Sequence, residues 1–259
     1  MAFRSSRLKG ESGVRWRRLL NGVALLGGLV WGILPAWGNE MLSVPPGIVH
    51  CVRALYDRFR QAGGGELAFS ESPSGAAAQQ MASGARFDLL IFTEPKWPKW
   101  LLERGLLEKT TVFARGCLVL WWPQPEAPSL DLLRRGTVAV PDPEITGYGM
   151  LAKAYLDREG LWQQGLASRR ILVLSSGPQT VTAVESGTVQ SALMSLTLVR
   201  KLSGGFSLVP GASIDQVVGV APGAGPEARR FAEFLCSENA RALLEQGGFV
   251  MPQAPEERP

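Results

Sequence analysis

The segment GELAFSESPSGAAAQQMASGARFDLLI, residues 65–91, constrains the fold more than any other part of the chain, because an extended stretch, a helix and a buried strand follow one another without a gap. The alanines and glutamines after Gly75 are good helix formers, and Gly84 supplies the usual stop. Leu89, Leu90 and Ile91 then make an apolar run short enough for a fully buried strand. Strand, helix and strand in this order form the unit of a parallel sheet. At the helix start, the backbone N–H groups of Ser74 and Gly75 have no intrahelical acceptor and sit at the positive end of the dipole. Ser74 therefore has two readings, a plain N-cap or a hydroxyl donor to an anion.

The same alternation continues to the end of the chain. One face of a first helix carries Ile48, Val49, Val52, Leu55, Tyr56 and Phe59, with Arg53, Asp57 and Arg58 opposite. Further helices are expected over 96–104, 129–135, 149–158, 180–186, 226–235 and 238–246. Strands are expected over 66–70, 87–92, 112–122, 137–140, 171–174, 190–194 and 216–220. This is an α/β pattern with mostly parallel sheets. The prolines of Pro123-Gln124-Pro125 and the irregular stretch 208–213 are natural crossings between lobes. They divide the chain into residues 39–122 with 210–259 as lobe 1 and 123–209 as lobe 2, joined by a two-strand hinge suited to closing over a ligand.

Residues 1–38 read differently. Arg4, Arg7, Lys9, Arg15, Arg17 and Arg18 form a basic head, an apolar run over 19–37 follows, and Ala36 and Gly38 bracket a site for signal peptidase. An exported chain starting near Asn39 is expected, in a periplasmic or other extracytoplasmic location; an uncleaved membrane anchor is the alternative. Six of the 27 Lys and Arg and one of the 23 Asp and Glu precede Asn39, which leaves 21 basic against 22 acidic residues. The basic pI therefore belongs to the leader, and nothing argues for nucleic acid. Cys51, Cys117 and Cys236 lack metal-ligand spacing and the single His50 completes no zinc pattern, so they are expected to be small hydrophobes, with one disulfide left open. Neither a cofactor nor a protein-bound metal is implied.

Four strand-to-helix junctions share a composition of small donors: Ser43-Val44-Pro45-Pro46-Gly47, Ser72-Pro73-Ser74-Gly75, Thr146-Gly147-Tyr148-Gly149 and Ser175-Ser176-Gly177-Pro178. None contains Lys or Arg. Junctions at the carboxyl ends of parallel strands can hold an oxyanion with neutral donors and helix dipoles alone. With donors only, such a site prefers a fully ionised dianion over a protonated one. Catalysis has less support: Ser74 with His50 is the one imaginable nucleophile and base, no GxSxG elbow is present, and Asp142 and Glu144 read as a surface turn. No catalytic residue is assigned.

Over roughly 42–252 the chain resembles the periplasmic molybdate-binding proteins of ABC transporters, which have the type II periplasmic binding-protein fold. The resemblance is carried by SGAAAQQMASGARFDLLIFTEPKW, LLERGLLEKTTVFARGCLVLWWP, VAVPDPEITGYGMLAKAYLDREGLW and PEARRFAEFLCSENARALLEQGGF, in matching order and spacing. It implies two lobes that close on a tetrahedral oxyanion, molybdate or tungstate, for delivery to an ABC permease in the membrane, by a monomer that catalyses nothing. The family's second serine falls on Ser74, its amide donors near Tyr148 and Gly177, and the tyrosine of some members on Ser195. The first serine falls on Gly47, which has no hydroxyl, and Pro45 and Pro46 remove two backbone donors beside it. One lost hydroxyl donor to a dianion costs about 1.5–3 kcal/mol, a ten- to hundredfold loss of affinity. Thr146, Tyr148 and Ser43 are the candidate replacements. The alternative is a divergent binding module with another small ligand, serving as a sensor or a ligand-presenting subunit at the membrane.

Overall fold

The computed structural model describes residues 39–252, so the leader expected over residues 1–38 lies outside the described residues. The order is β1 (Glu40–Val44), α1 (Val49–Gln61), β2 (Leu67–Glu71), α2 (Ser74–Ala82), β3 (Leu89–Phe92), α3 (Lys96–Leu102) and β4 (Lys109–Trp122). There follow α4 (Leu132–Arg135), β5 (Val138–Pro141), α5 (Gly147–Arg158), α6 (Trp162–Ala167), β6 (Ile171–Leu174), α7 (Gly177–Glu185), β7 (Ser191–Ser195) and α8 (Leu196–Val199). The chain ends with β8 (Gly205–Val220), α9 (Pro226–Leu235), α10 (Glu238–Gln246) and β9 (Phe249–Val250).

The sheet order β2-β1-β3-β8-β4-β7-β5-β6 contains one motif used twice. In each half a three-strand parallel group, β2-β1-β3 or β7-β5-β6, is wound with helical crossovers. Between the groups lie the two long strands β4 and β8, antiparallel to each other and to their neighbours β7 and β3. The α/β assignment therefore holds, with parallel pairing inside each group and antiparallel pairing in the middle. Leu118–Trp121 pair with β7, so the chain is already beside the second group before Pro123. The β4–β8 register shifts between Cys117 and Val119, whose partners are Ser213 and Leu208. The residues between those partners, Val209, Pro210, Gly211 and Ala212, go unpaired. A proline that would break a ladder in mid-strand is tolerated at such an irregularity.

Packing follows the apolar patterns. The α1 face of Cys51, Val52, Leu55 and Phe59 is buried, and the Phe59 ring meets Phe231 of α9 at 5.2 Å between centroids. A second cluster, with Val119, Trp121, Val181, Val184 and Met194, lies in the other half. All three cysteines are free thiols; Cys51 is buried as expected, whereas Cys236 is exposed, contrary to its reading as an interior hydrophobe.

Candidate functional site

Because both groups are wound the same way, the carboxyl ends of all six parallel strands converge on one cavity of about 40 Å³, room for a few water-sized groups. Its wall is built from Pro45, Pro46, Gly47 and Ile48 after β1, Pro73 and Ser74 after β2, and Thr93 and Glu94 after β3. The other half adds Pro141 and Ile145–Tyr148 around the start of α5, Ser175–Gly177 after β6, and Ser195 at the end of β7. The structure thus brings Ser74, Gly47, Tyr148, Gly177 and Ser195 together around one space. Among the described residues no Lys or Arg lines it.

Ser74 is the first residue of α2 and does not cap it; Pro73 holds the N-cap position. Its side chain is turned instead toward β3, where Oγ accepts the Thr93 N–H at 3.1 Å. The hydroxyl proton is left for the Thr93 hydroxyl, at 3.5 Å, or for a ligand. Gly75 follows because Trp97 lies on it: a Cβ there would come within 2.7 Å of the indole. Gly147 is fixed for a similar reason, since its Cβ would fall 2.1 Å from the Thr93 carbonyl oxygen. The start of α5 is thereby pressed against the end of β3.

The three hydroxyls considered for a donor beside Gly47 are engaged or turned aside. Thr146 caps α5, accepting from Gly149 N–H at 3.0 Å and donating to the Asp142 carbonyl at 2.7 Å. The Tyr148 hydroxyl is buried without a partner against Gly116 of β4, which is not part of the cavity wall. Burial pushes that phenol far above its ordinary range. Ser43 Oγ is buried without a partner and is not part of the cavity wall. At Gly47, a Cβ would meet nothing within 4 Å. Ser176 caps α7, accepting from Gln179 N–H at 3.4 Å, and leaves the Gly177 N–H at the free start of that helix. Ser195 is likewise engaged: it caps α8 through Leu198 N–H at 3.3 Å and receives the Thr197 hydroxyl at 3.0 Å.

His50, set aside above as a base for Ser74, has its Nε2 2.7 Å from the Thr197 carbonyl oxygen, outside the cavity wall. One expectation is corrected: that of neutral donors alone fails, because Glu94 is part of the wall and 3% exposed. Its Oε2 accepts the Thr93 hydroxyl at 3.1 Å. Burial raises the Glu94 carboxyl above its ordinary value, against the opposing pull of the Ser74 and Thr93 hydroxyls and of Lys96. The signal available in the sequence was an acid placed two residues past a fully buried strand, at the end of that strand where ligands bind.

Residues 41–250 match the family described as bacterial extracellular solute-binding protein. The chain belongs to that family. Among curated relatives of this solute-binding protein, the molybdate-binding protein ModA of Escherichia coli K12 is 24% identical over 160 residues, 57% of this chain and 62% of ModA. The match thus spans less than two thirds of that relative's length. Among solved structures, the periplasmic molybdate-binding protein of Azotobacter vinelandii superposes with a TM-score of 0.76 at 22% identity, over 83% of this chain and all of the other. PEB3 of Campylobacter jejuni with L-phospholactate bound gives 0.66 at 11% identity, over 83% of this chain and all of the other. At these identities the superpositions establish the type II binding-protein fold.

Proposed function

We propose that this solute-binding protein captures a small oxyanion, molybdate or tungstate, and delivers it to a membrane permease after export. The observation that carries the reading is the cavity itself: a space of about 40 Å³ at the starts of α1, α2, α5 and α7, walled mostly by Ser, Thr, Gly and Pro, with Ile48, Ile145, Tyr148 and one acid, Glu94, and with no Lys or Arg among the described residues. Helix N-termini and hydroxyls supply hydrogen-bond donors and positive potential without a mobile cation. That is a set of contacts for a compact anion.

In this reading Ser74 contributes its hydroxyl, Tyr148 and Gly177 contribute backbone N–H groups, and Gly47 and Ser195 shape the wall. The lobes close by bending β4 and β8, and the unpaired stretch from Val209 to Ala212 facing the register shift at Cys117 is the natural place to bend. Molybdate-binding relatives in both comparisons favour the named ligands. Isothermal titration against molybdate, tungstate, sulfate, phosphate and a phosphate monoester tests the reading. Micromolar or tighter binding of molybdate or tungstate is expected; binding of another of these anions with none of those two leaves the fold and removes the ligand.

A further inference from the structure

A negative side chain in the wall of an anion site calls for a chemical account. Glu94 is held there by its surroundings: Thr93 donates its hydroxyl to Oε2 and gives its N–H to Ser74, so carboxylate, hydroxyl and hydroxyl form one chain along the wall. The groups facing Glu94 from the other elements are uncharged. The start of α2 presents Ser74, and the start of α5 presents the backbone of Gly147 and Tyr148, with the phenol turned away to Gly116. Across the cavity stand Ser175, Ser176 and Ser195. The charge acting on Glu94 is that of Lys96, on its own segment. Glu94 therefore faces any ligand without a charged partner inside the cavity.

An ionised carboxylate and a dianion in one small cavity repel, and the first group to yield is the one whose protonated form is already favoured by burial. Deleting the charge by protonation also converts an acceptor into a donor, which then matches a ligand oxygen. We propose that Glu94 makes anion capture proton-coupled, so that a fully ionised dianion binds together with one proton from solution, held between the Glu94 carboxyl and a ligand oxygen. No bond within the ligand forms or breaks; the carboxylate gains the proton on binding and returns it on release. The proposal rests on the reading of the cavity as an anion site. It also sets a specificity rule: an anion that carries its own hydroxyl, such as hydrogen phosphate, brings the proton with it and draws none from solution.

The test is calorimetry of the full chain with molybdate, tungstate and sulfate, at pH 6, 7 and 8, each in two buffers of different ionisation enthalpy. The expected result is uptake approaching one proton per dianion at the higher pH, with affinity falling toward tenfold per pH unit there. Glu94→Gln, which keeps the size and a donor, is expected to abolish the uptake and flatten the pH profile. Dianion binding with no buffer dependence and a flat profile in the unsubstituted chain overturns the proposal while leaving the anion site standing. Uptake that persists in Glu94→Gln overturns the assignment to this residue. No binding of any of the three anions at any pH overturns the molybdate and tungstate reading and the proton coupling with it.

Discussion

Ser195 Oγ donates to the Gly47 carbonyl oxygen at 3.3 Å, joining the turn after β1 to the end of β7 and hence one half of the sheet to the other. The Thr197 hydroxyl reaches the same carbonyl at 3.4 Å, and His50, three residues past Gly47, is tied to the Thr197 backbone. The Gly47 turn is thus held in place through its carbonyl while its Cα faces empty space. The turn has room for a side chain at Gly47.

Gly47→Ser is therefore expected to raise affinity for molybdate or tungstate about ten- to hundredfold, the 1.5–3 kcal/mol of a hydroxyl donor to a charged acceptor. Gly47 lies outside the left-handed region, so a side chain adds no backbone strain. Titration of the variant beside the native chain checks this, and equal affinities would show that the turn does not present a donor to the ligand.

Ser74→Ala removes the donor at the other side of the cavity and is expected to weaken anion binding by a similar factor. It also leaves the Thr93 N–H, now given to Ser74 Oγ, without its acceptor in a buried setting. The second effect costs about 1–2 kcal/mol of stability. A lowered thermal midpoint with unchanged affinity would reduce Ser74 to a structural role.

How much of this was readable from the chain varies with what the residues advertise. Helices α9 and α10 fall on the expected residues because their apolar periodicity and flanking Gly, Pro and Ser agree. The last long strand was expected only over 216–220 and runs from Gly205, since Pro210 and Gly211 read as a break and in fact occupy the unpaired stretch of a continuous strand. Helix α8, four residues long, is too short to show a period. In the site, Ser74 was legible from its place before a run of helix formers. The employment of Thr146 as a cap and the burial of the Tyr148 phenol against Gly116 were not, because both depend on how the rest of the fold packs. Glu94 was overlooked for a related reason: an acid in a loop usually meets water, and only the convergence of six strand ends buries this one.

Away from the cavity, at the opposite end of β1, Glu40 accepts the Ala228 N–H at 2.5 Å and the Glu227 N–H at 3.2 Å at the start of α9. A carboxylate there satisfies orphan donors and opposes the helix dipole. Glu40→Gln is expected to cost about 1–2 kcal/mol, seen as a lower midpoint in urea with anion affinity unchanged. An unaltered midpoint would mean that the α9 start is satisfied by water.

The pH dependence of stability involves His50 and Glu94 with opposite signs. Burial lowers the His50 ring below its ordinary 6.5, with the Lys201 charge adding to the effect and the Thr197 carbonyl opposing it. As pH falls below about 6.5 the unfolded chain takes up a proton on His50 before the folded chain does, so this residue makes stability fall with pH until its lower folded value is passed. The raised carboxyl of Glu94 is protonated first in the folded chain, so it makes stability rise as pH falls toward the ordinary carboxylate value. The two slopes have opposite signs, so the Glu94 contribution opposes that of His50 in the native chain. In a Glu94→Gln background the His50 slope is no longer opposed by Glu94, and urea midpoints are expected to drop between pH 7.5 and pH 5.5 more steeply than in the native chain. Adding His50→Gln, which keeps a donor for the Thr197 carbonyl without titrating, is expected to remove the difference. A steep slope that survives both substitutions would place the titrating group elsewhere.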